Sequence, residues 1–323
     1  MNFSTTTSPH IRSKDHTGRI MLDVALALLP TAAAGIYFFG LRALLVILIS
    51  VTAALAGEWA VNRLLHRPNT LNDGSALVTG LLLALTLPAT VPYWLAAVGS
   101  FFAVVVVKGL CGGLGQNSFN PALAARAFLL LMWPVWLVRY AAPGSDLPVL
   151  GTTVDMVTSA TPLHHMQIPA LPEVSLADAF LGRVGGCIGE VSSLAVLLGG
   201  AYLLVRKVIS IRIPAAYLGT VALVTLVFCK TEQPILWMLY SLLGGGVLLG
   251  AFFMATDYSS SPVTPRGQIF YGMGCGVLTV LFRYYGLFPE GVTYAILLMN
   301  ACVWLVERCT VPRRFGTAKG RAI

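Results

Sequence analysis

Ten stretches of this chain, centred on residues 20–38, 42–61, 75–90, 92–110, 121–138, 187–205, 213–229, 235–255, 268–285 and 290–307, are apolar over all or nearly all of the roughly 20 residues that an α-helix needs to cross a bilayer. Helices that are apolar all round belong in lipid or in the middle of a bundle, so the pattern predicts an all-α polytopic membrane protein. Composition agrees. Of 323 residues, 57% are hydrophobic and 11% charged, against roughly 25% charged in an ordinary soluble domain. The spans are not uniform. Pro88 and Pro92 bracket a tight turn, and the glycine-rich run 111–121 cannot continue a helix. Non-helical backbone survives at membrane depth only inside protein or beside a cavity.

A net charge of +8 points to nucleic acid only where basic residues cluster on a soluble face. Here they sit between apolar runs, and nucleic acid is excluded as a partner; the lipid membrane takes its place. With both termini in the cytoplasm, fifteen Lys and Arg fall on that side, Lys108 among them. Five fall on the other: Arg42, Arg139, Arg183, Lys230 and Arg283. The one long connection, residues 139–186, then lies outside, in the periplasm of an inner-membrane protein. The expected organisation is a membrane half over 1–138, the external loop 139–186, and a second membrane half over 187–323. Five spans is an odd number, so the halves are inverted relative to one another. A faint repeat agrees: Thr256 precedes Pro289 by 33 residues, as Pro88 precedes Pro121, with Phe288 and Phe119 just upstream of the second prolines. Inverted repeats with broken helices place binding sites near the midplane. The six cysteines form no CxxC pair and read as small buried hydrophobes, with no metal framework. The polar first 18 or so residues give no sign of a cleavable signal peptide.

The external loop contains Asp155-Met156-Val157-Thr158-Ser159-Ala160-Thr161-Pro162. Pro162 keeps Thr161 out of the helical region and presents an extended hydroxyl; read from composition alone, the run is equally an Asx or Ser/Thr turn. The segment resembles the acceptor motif for covalent flavinylation: Asp, two variable residues, Ser or Thr, Gly or Ser, Ala, Thr. The resemblance implies that a Mg-dependent flavin transferase joins FMN to Thr161 through a phosphodiester, with Asp155, Ser159 and Ala160 forming the recognition element.

Further motifs widen the resemblance. Gly112 to Ala122 followed by Ala125-Arg126, Met254-Ala255-Thr256-Asp257 followed by Ser261 to Gly267, and Pro289-Glu290-Gly291-Val292 leading to Met299-Asn300 are similar, in order, to the membrane flavoprotein family that includes the D subunit of the Rnf complex and the B subunit of the sodium-pumping NADH:quinone reductase. With about 19 residues before the first span, the N-terminus is closer to the Rnf branch. The family implies about ten helices in two inverted halves similar to urea transporters. It implies a place in a six-subunit complex passing electrons between ferredoxin and NAD while moving Na⁺ or H⁺. It also implies a second, non-covalent flavin, riboflavin or FMN, within the membrane. The chain has no nucleotide fingerprint of its own and is expected to be a relay rather than a catalyst by itself.

Asn117 and Asn120 are the candidates for that second flavin, or cap a helix. Arg126 stabilises an anionic ring, or pairs with a carboxylate such as Glu58. Asp257 caps the end of its apolar run, or attracts a cation. His164 and His165 either tune the loop flavin or are simply solvated. Glycines 244–246 allow close helix packing. The competing class is a solute channel of the urea-transporter type, which the same fold permits; the flavinylation motif discriminates between them.

Overall fold

The computed structural model describes residues 16–67, 70–110, 113, 115–145, 147–149, 171–172, 174–286 and 291–312. Among these residues the regular structure is helical throughout, as the apolar runs predict, and no strand forms. The helices are α1 (Thr17–Leu64), α2 (Ser75–Thr86), α3 (Tyr93–Phe102), α4 (Pro121–Met132), α5 (Pro134–Leu137), α6 (Leu176–Leu181), α7 (Ser193–Val205), α8 (Arg212–Val227), α9 (Pro234–Leu243), α10 (Val247–Leu249), α11 (Pro265–Tyr285), α12 (Val292–Ala301) and α13 (Val303–Thr310). Two π-helical segments continue α3 and α10, over Ala103–Gly109 and Gly250–Met254.

The 48 residues of α1 would extend about 72 Å if straight, more than twice a hydrocarbon core of roughly 30 Å. Gly40 divides them. Its φ of 68° and ψ of −155° are open to glycine and strained for other residues, and the two predicted spans 20–38 and 42–61 lie on either side. The chain folds back there, for the turn that follows α1 returns to its start: a Cβ placed on Gly18 would be 3.3 Å from the Asn72 carbonyl oxygen.

Several other runs form helices shorter than their apolar stretches. The 12 residues of α2 reach about 18 Å, because Pro88 and the extended Leu87 stop the helix where the sequence stays apolar. Pro134 ends α4 in the same way, and the bend of 61° between α9 and the α10 segment falls at glycines 244–246. Eleven of the twelve residues of α2 are buried, as half-length helices must be if their ends are to find partners away from lipid. The carbonyls of Leu85 and Leu87 at its end accept from Gly189 N (2.7 Å) and Ile188 N (3.0 Å), which fixes the segment entering the second half against the first. Helix starts carry local signals: Asn120 caps α4 by accepting from Ala122 N (3.0 Å) and Leu123 N (3.3 Å), and Thr264 caps α11, each followed by proline at the first helical position.

Two arginines counted above as loop charges are interior groups. Arg42, 2% exposed, donates to the carbonyls of Ala89 (2.9 Å), Thr90, Val91 (both 3.4 Å) and Pro148 (2.6 Å). Arg283 donates to Ser241 (2.5 Å), Gly244 (2.8 Å) and Gly245 (3.4 Å). Each satisfies carbonyls that a broken helix has released, groups that lipid would leave unpaired. Lys108, also assigned to a loop by its charge, is buried in the π-helical segment after α3.

Candidate functional site

Where α2, α4, the two π-helical segments and the start of α1 converge, the chain leaves an open cleft. Its polar lining includes Ser75, Thr79, Lys108, Asn117, Asn120 and Asp257; its walls include Leu82, Leu203, Phe252 and Phe253. Apolar walls with a few converging polar groups are the usual make-up of a small-molecule site.

The two asparagines differ in what they have free. Asn120 is committed: besides capping α4, its Nδ2 donates to the Met254 carbonyl (3.3 Å), and its backbone N–H donates to the Asn300 amide oxygen (3.2 Å). Asn300 in turn donates to Ser260 O (3.1 Å), so one asparagine at the head of α4 ties together α10, α12 and the turn after residue 256. Asn117 is 3% exposed and its Oδ1 has no hydrogen-bond partner among the described residues. A buried acceptor left unsatisfied is costly, and a ligand N–H would repair it.

Asp257 sits half-buried on the opposite rim, where Ser259 and Ser260 each donate to Oδ2 at 3.1 Å and Ser261 N donates to its carbonyl (3.1 Å). Its carboxylate anchors the turn. Burial pushes this carboxyl above the usual range, against the pull of those two hydroxyls and the nearby backbone amides.

Arg126 is elsewhere. It lines a separate, small cavity with Thr86, Glu190, Gly245, Gly246 and Thr293, where its guanidinium lies 3.6 Å from Glu190 Oε1 and 3.5 Å from Cys187 Sγ. The expected partner Glu58 is instead ion-paired with Lys108, because the approach of residues 187–192 to α4 brings a nearer carboxylate. Gly246, at φ 66°, makes room for that carboxylate: a Cβ there would lie 2.4 Å from Glu190 Oε1. Met254 joins the two cavities, lining the one that holds Arg126 and accepting through its carbonyl from Asn120 in the other.

Thus Asn117, Asn120 and Asp257 share one site, while Arg126 does not. Asp155, Ser159, Ala160, Thr161, His164 and His165 lie outside the described residues. Lys108 and Glu190 were missed as site residues. The signal for Lys108 was its place inside the apolar run 92–110, where an ionisable group is costly and commonly functional. Among the described residues no group of three or more His, Cys, Asp or Glu side chains could hold a metal ion.

Comparison with known proteins adds a family. The model of the NQR2, RnfD, RnfE family matches residues 4–316. The chain is 48% identical over 322 residues, 99% of its length and 97% of the relative's, to a protein of Acetobacterium woodii named as the D subunit of a Na⁺-translocating ferredoxin:NAD⁺ oxidoreductase complex. It is 41% identical to the D subunit of the proton-translocating ferredoxin:NAD⁺ oxidoreductase complex of Clostridium ljungdahlii, over 98% of this chain and 97% of that one. It is 42% identical to the D subunit of the ion-translocating oxidoreductase complex of Stutzerimonas stutzeri, over 94% of each.

Proposed function

The chain belongs to the NQR2, RnfD, RnfE family, and we propose that it is a membrane electron-relay subunit of an ion-translocating ferredoxin:NAD oxidoreductase complex. Full-length likeness to relatives of that name supports the reading, as does the acceptor pattern from Asp155 to Thr161. In this reading the membrane halves 1–138 and 187–323 are two inverted sets of five spans in the inner membrane. The loop 139–186 faces the periplasm and carries FMN on Thr161. The partners are the other members of a six-subunit complex and the flavin transferase that loads the loop.

The second flavin, riboflavin or FMN, belongs in the cleft. The observation that carries this is the buried, unpartnered Oδ1 of Asn117, a residue that lines an apolar-walled cleft. A bound flavin supplies one- and two-electron redox chemistry. The chain's own residues bind and orient it: Asn117 offers an acceptor to a ring N–H, Phe252 and Phe253 wall the space against water, and Lys108 brings a cation to it. Electrons from cytoplasmic donors must cross roughly 30 Å of hydrocarbon to reach a periplasmic flavin, and an intermediate carrier divides that distance.

Asn117→Leu in the full chain is the test. It should lose acid-extractable flavin by at least tenfold while the flavin on Thr161 and the Asn120 cap of α4 persist. Extractable flavin at the unmodified level would move the second cofactor out of this cleft.

Topology gives another expected result. In a cysteine-free background, cysteine introduced at Ser145 should react with an impermeant maleimide added to intact spheroplasts, and cysteine at Thr317 should react only after lysis. The opposite pattern would reverse the map.

A further inference from the structure

Lys108 is 4% exposed and belongs to two spaces at once. On one side it lines the cleft with Asn117 and Asp257. On the other it lines an outward-opening pocket of about 740 Å³ with Glu58, Asn62, Arg67, Thr70 and Asp73. Glu58 lines only the second. The ammonium donates to Glu58 Oε1 and to Ser75 Oγ (2.5 Å), Thr70 Oγ1 donates to the same Glu58 oxygen (2.8 Å), and Ser75 Oγ donates onward to Asp73 Oδ1 (2.5 Å). Glu58 Oε2 is buried with no hydrogen-bond partner among the described residues. Both members of the pair are almost wholly removed from solvent, at 6% and 4% side-chain exposure.

A buried lysine–carboxylate pair seldom offsets its own desolvation, so stability alone is a weak reason for one. Its placement offers a better reason. The lysine lines both spaces and the glutamate only the outer pocket, so the positive member of the pair is the one next to the cleft. The backbone that holds it is a π-helical turn, a conformation that gathers at functional sites.

We propose that Lys108 is the electrostatic partner of the redox group in the cleft, favouring its negatively charged form, and that Glu58 sets how much of the lysine's charge the cleft feels. This rests on the reading that the cleft holds a flavin. An oxidised flavin that gains two electrons and one proton becomes an anionic hydroquinone, and the added charge falls beside the ammonium. Asp257 and Tyr258 also line the cleft, and Arg67 and Asp73 line the outer pocket. All four stay constant among the variants compared below.

The experiment is a redox titration, with dithionite as reductant, of the full chain purified in detergent. Thr161→Ala serves as background, so that only the cleft flavin contributes. Glu58→Gln frees the lysine's charge and should move the midpoint upward by at least a tenfold change in the reduction equilibrium, about 30 mV for a two-electron couple. Lys108→Met with Glu58→Gln removes the pair without leaving an unpaired buried charge, and should move the midpoint downward by a similar factor. Lys108→Arg keeps the charge and should stay near the unmodified value. A merely structural pair predicts no such opposition of sign. Shifts in one common direction, or none, with flavin still bound would overturn the assignment alone. A Thr161→Ala chain that carries no flavin would overturn the reading that the cleft holds one, and this assignment with it.

Discussion

Thr161→Ala is expected to erase the ultraviolet fluorescence of the denatured chain on a gel and to lower its intact mass by one esterified FMN, while the protein still accumulates in the membrane. The expectation comes from the resemblance of the segment Asp155 to Thr161 to a flavinylation acceptor. The chemistry explains why the effect should be complete. The threonine oxygen attacks the FMN-side phosphorus of FAD, the new O–P bond replaces the pyrophosphate bond, and AMP leaves with the other phosphate. A methyl side chain has no oxygen to attack with. Thr152→Ala and Thr153→Ala, hydroxyl losses just upstream of the motif, should keep the fluorescent band. Fluorescence surviving in Thr161→Ala would place the ester on another residue.

The largest expected effect on stability is at Arg126. Its replacement by Met leaves the Glu190 carboxylate, 6% exposed in its side chain, with the guanidinium gone from a cavity otherwise lined by threonines, glycines and apolar side chains. Breaking a buried pair in this way typically costs about 3–5 kcal/mol. The thermal midpoint of the detergent-solubilised chain should fall steeply, and the yield of monodisperse protein with it. Adding Glu190→Gln should recover part of the loss, since it removes the carboxylate that Arg126 faced and the two sites are coupled, while the buried Arg283 gives up the attraction of that same carboxylate. A double variant as unstable as the sum of the singles would mean that the two residues act separately.

How far the sequence foretold this molecule depends on the range of the interaction. Local features were legible. Asn120-Pro121 and Thr264-Pro265 announce helix starts, and the glycine-rich run 111–121 announces a break. The relation of Arg126 to Glu190 was not, because 64 positions separate them and only the docking of residues 187–192 against α2 and α4 makes them neighbours. Glu58 looked the better partner from its place in an apolar run, yet Lys108 occupies it. The same limit affected the charge count behind the topology. Without the buried Lys108 on one side and the buried Arg42 and Arg283 on the other, fifteen against five becomes fourteen against three, so the vote sharpens once interior charges are removed. Helix length was the other blind spot: α2 stops at Thr86 although Leu87, Ala89 and Val91 are as buried and apolar as the helix itself.

The π-helical segments Ala103–Gly109 and Gly250–Met254 impose a rule about chain length. Each winds more residues into a turn than an α-helix does, so each holds a surplus residue that an ordinary helix would reject. Loss of one residue from 103–109 would let the backbone close into the regular screw while the turns on either side keep nearly the same facing. The same loss from a regular helix that stays regular would turn everything beyond it by about 100°. Each wide turn is thus a stored residue, a place where the length of the chain can change without rotating the helices that flank the cleft.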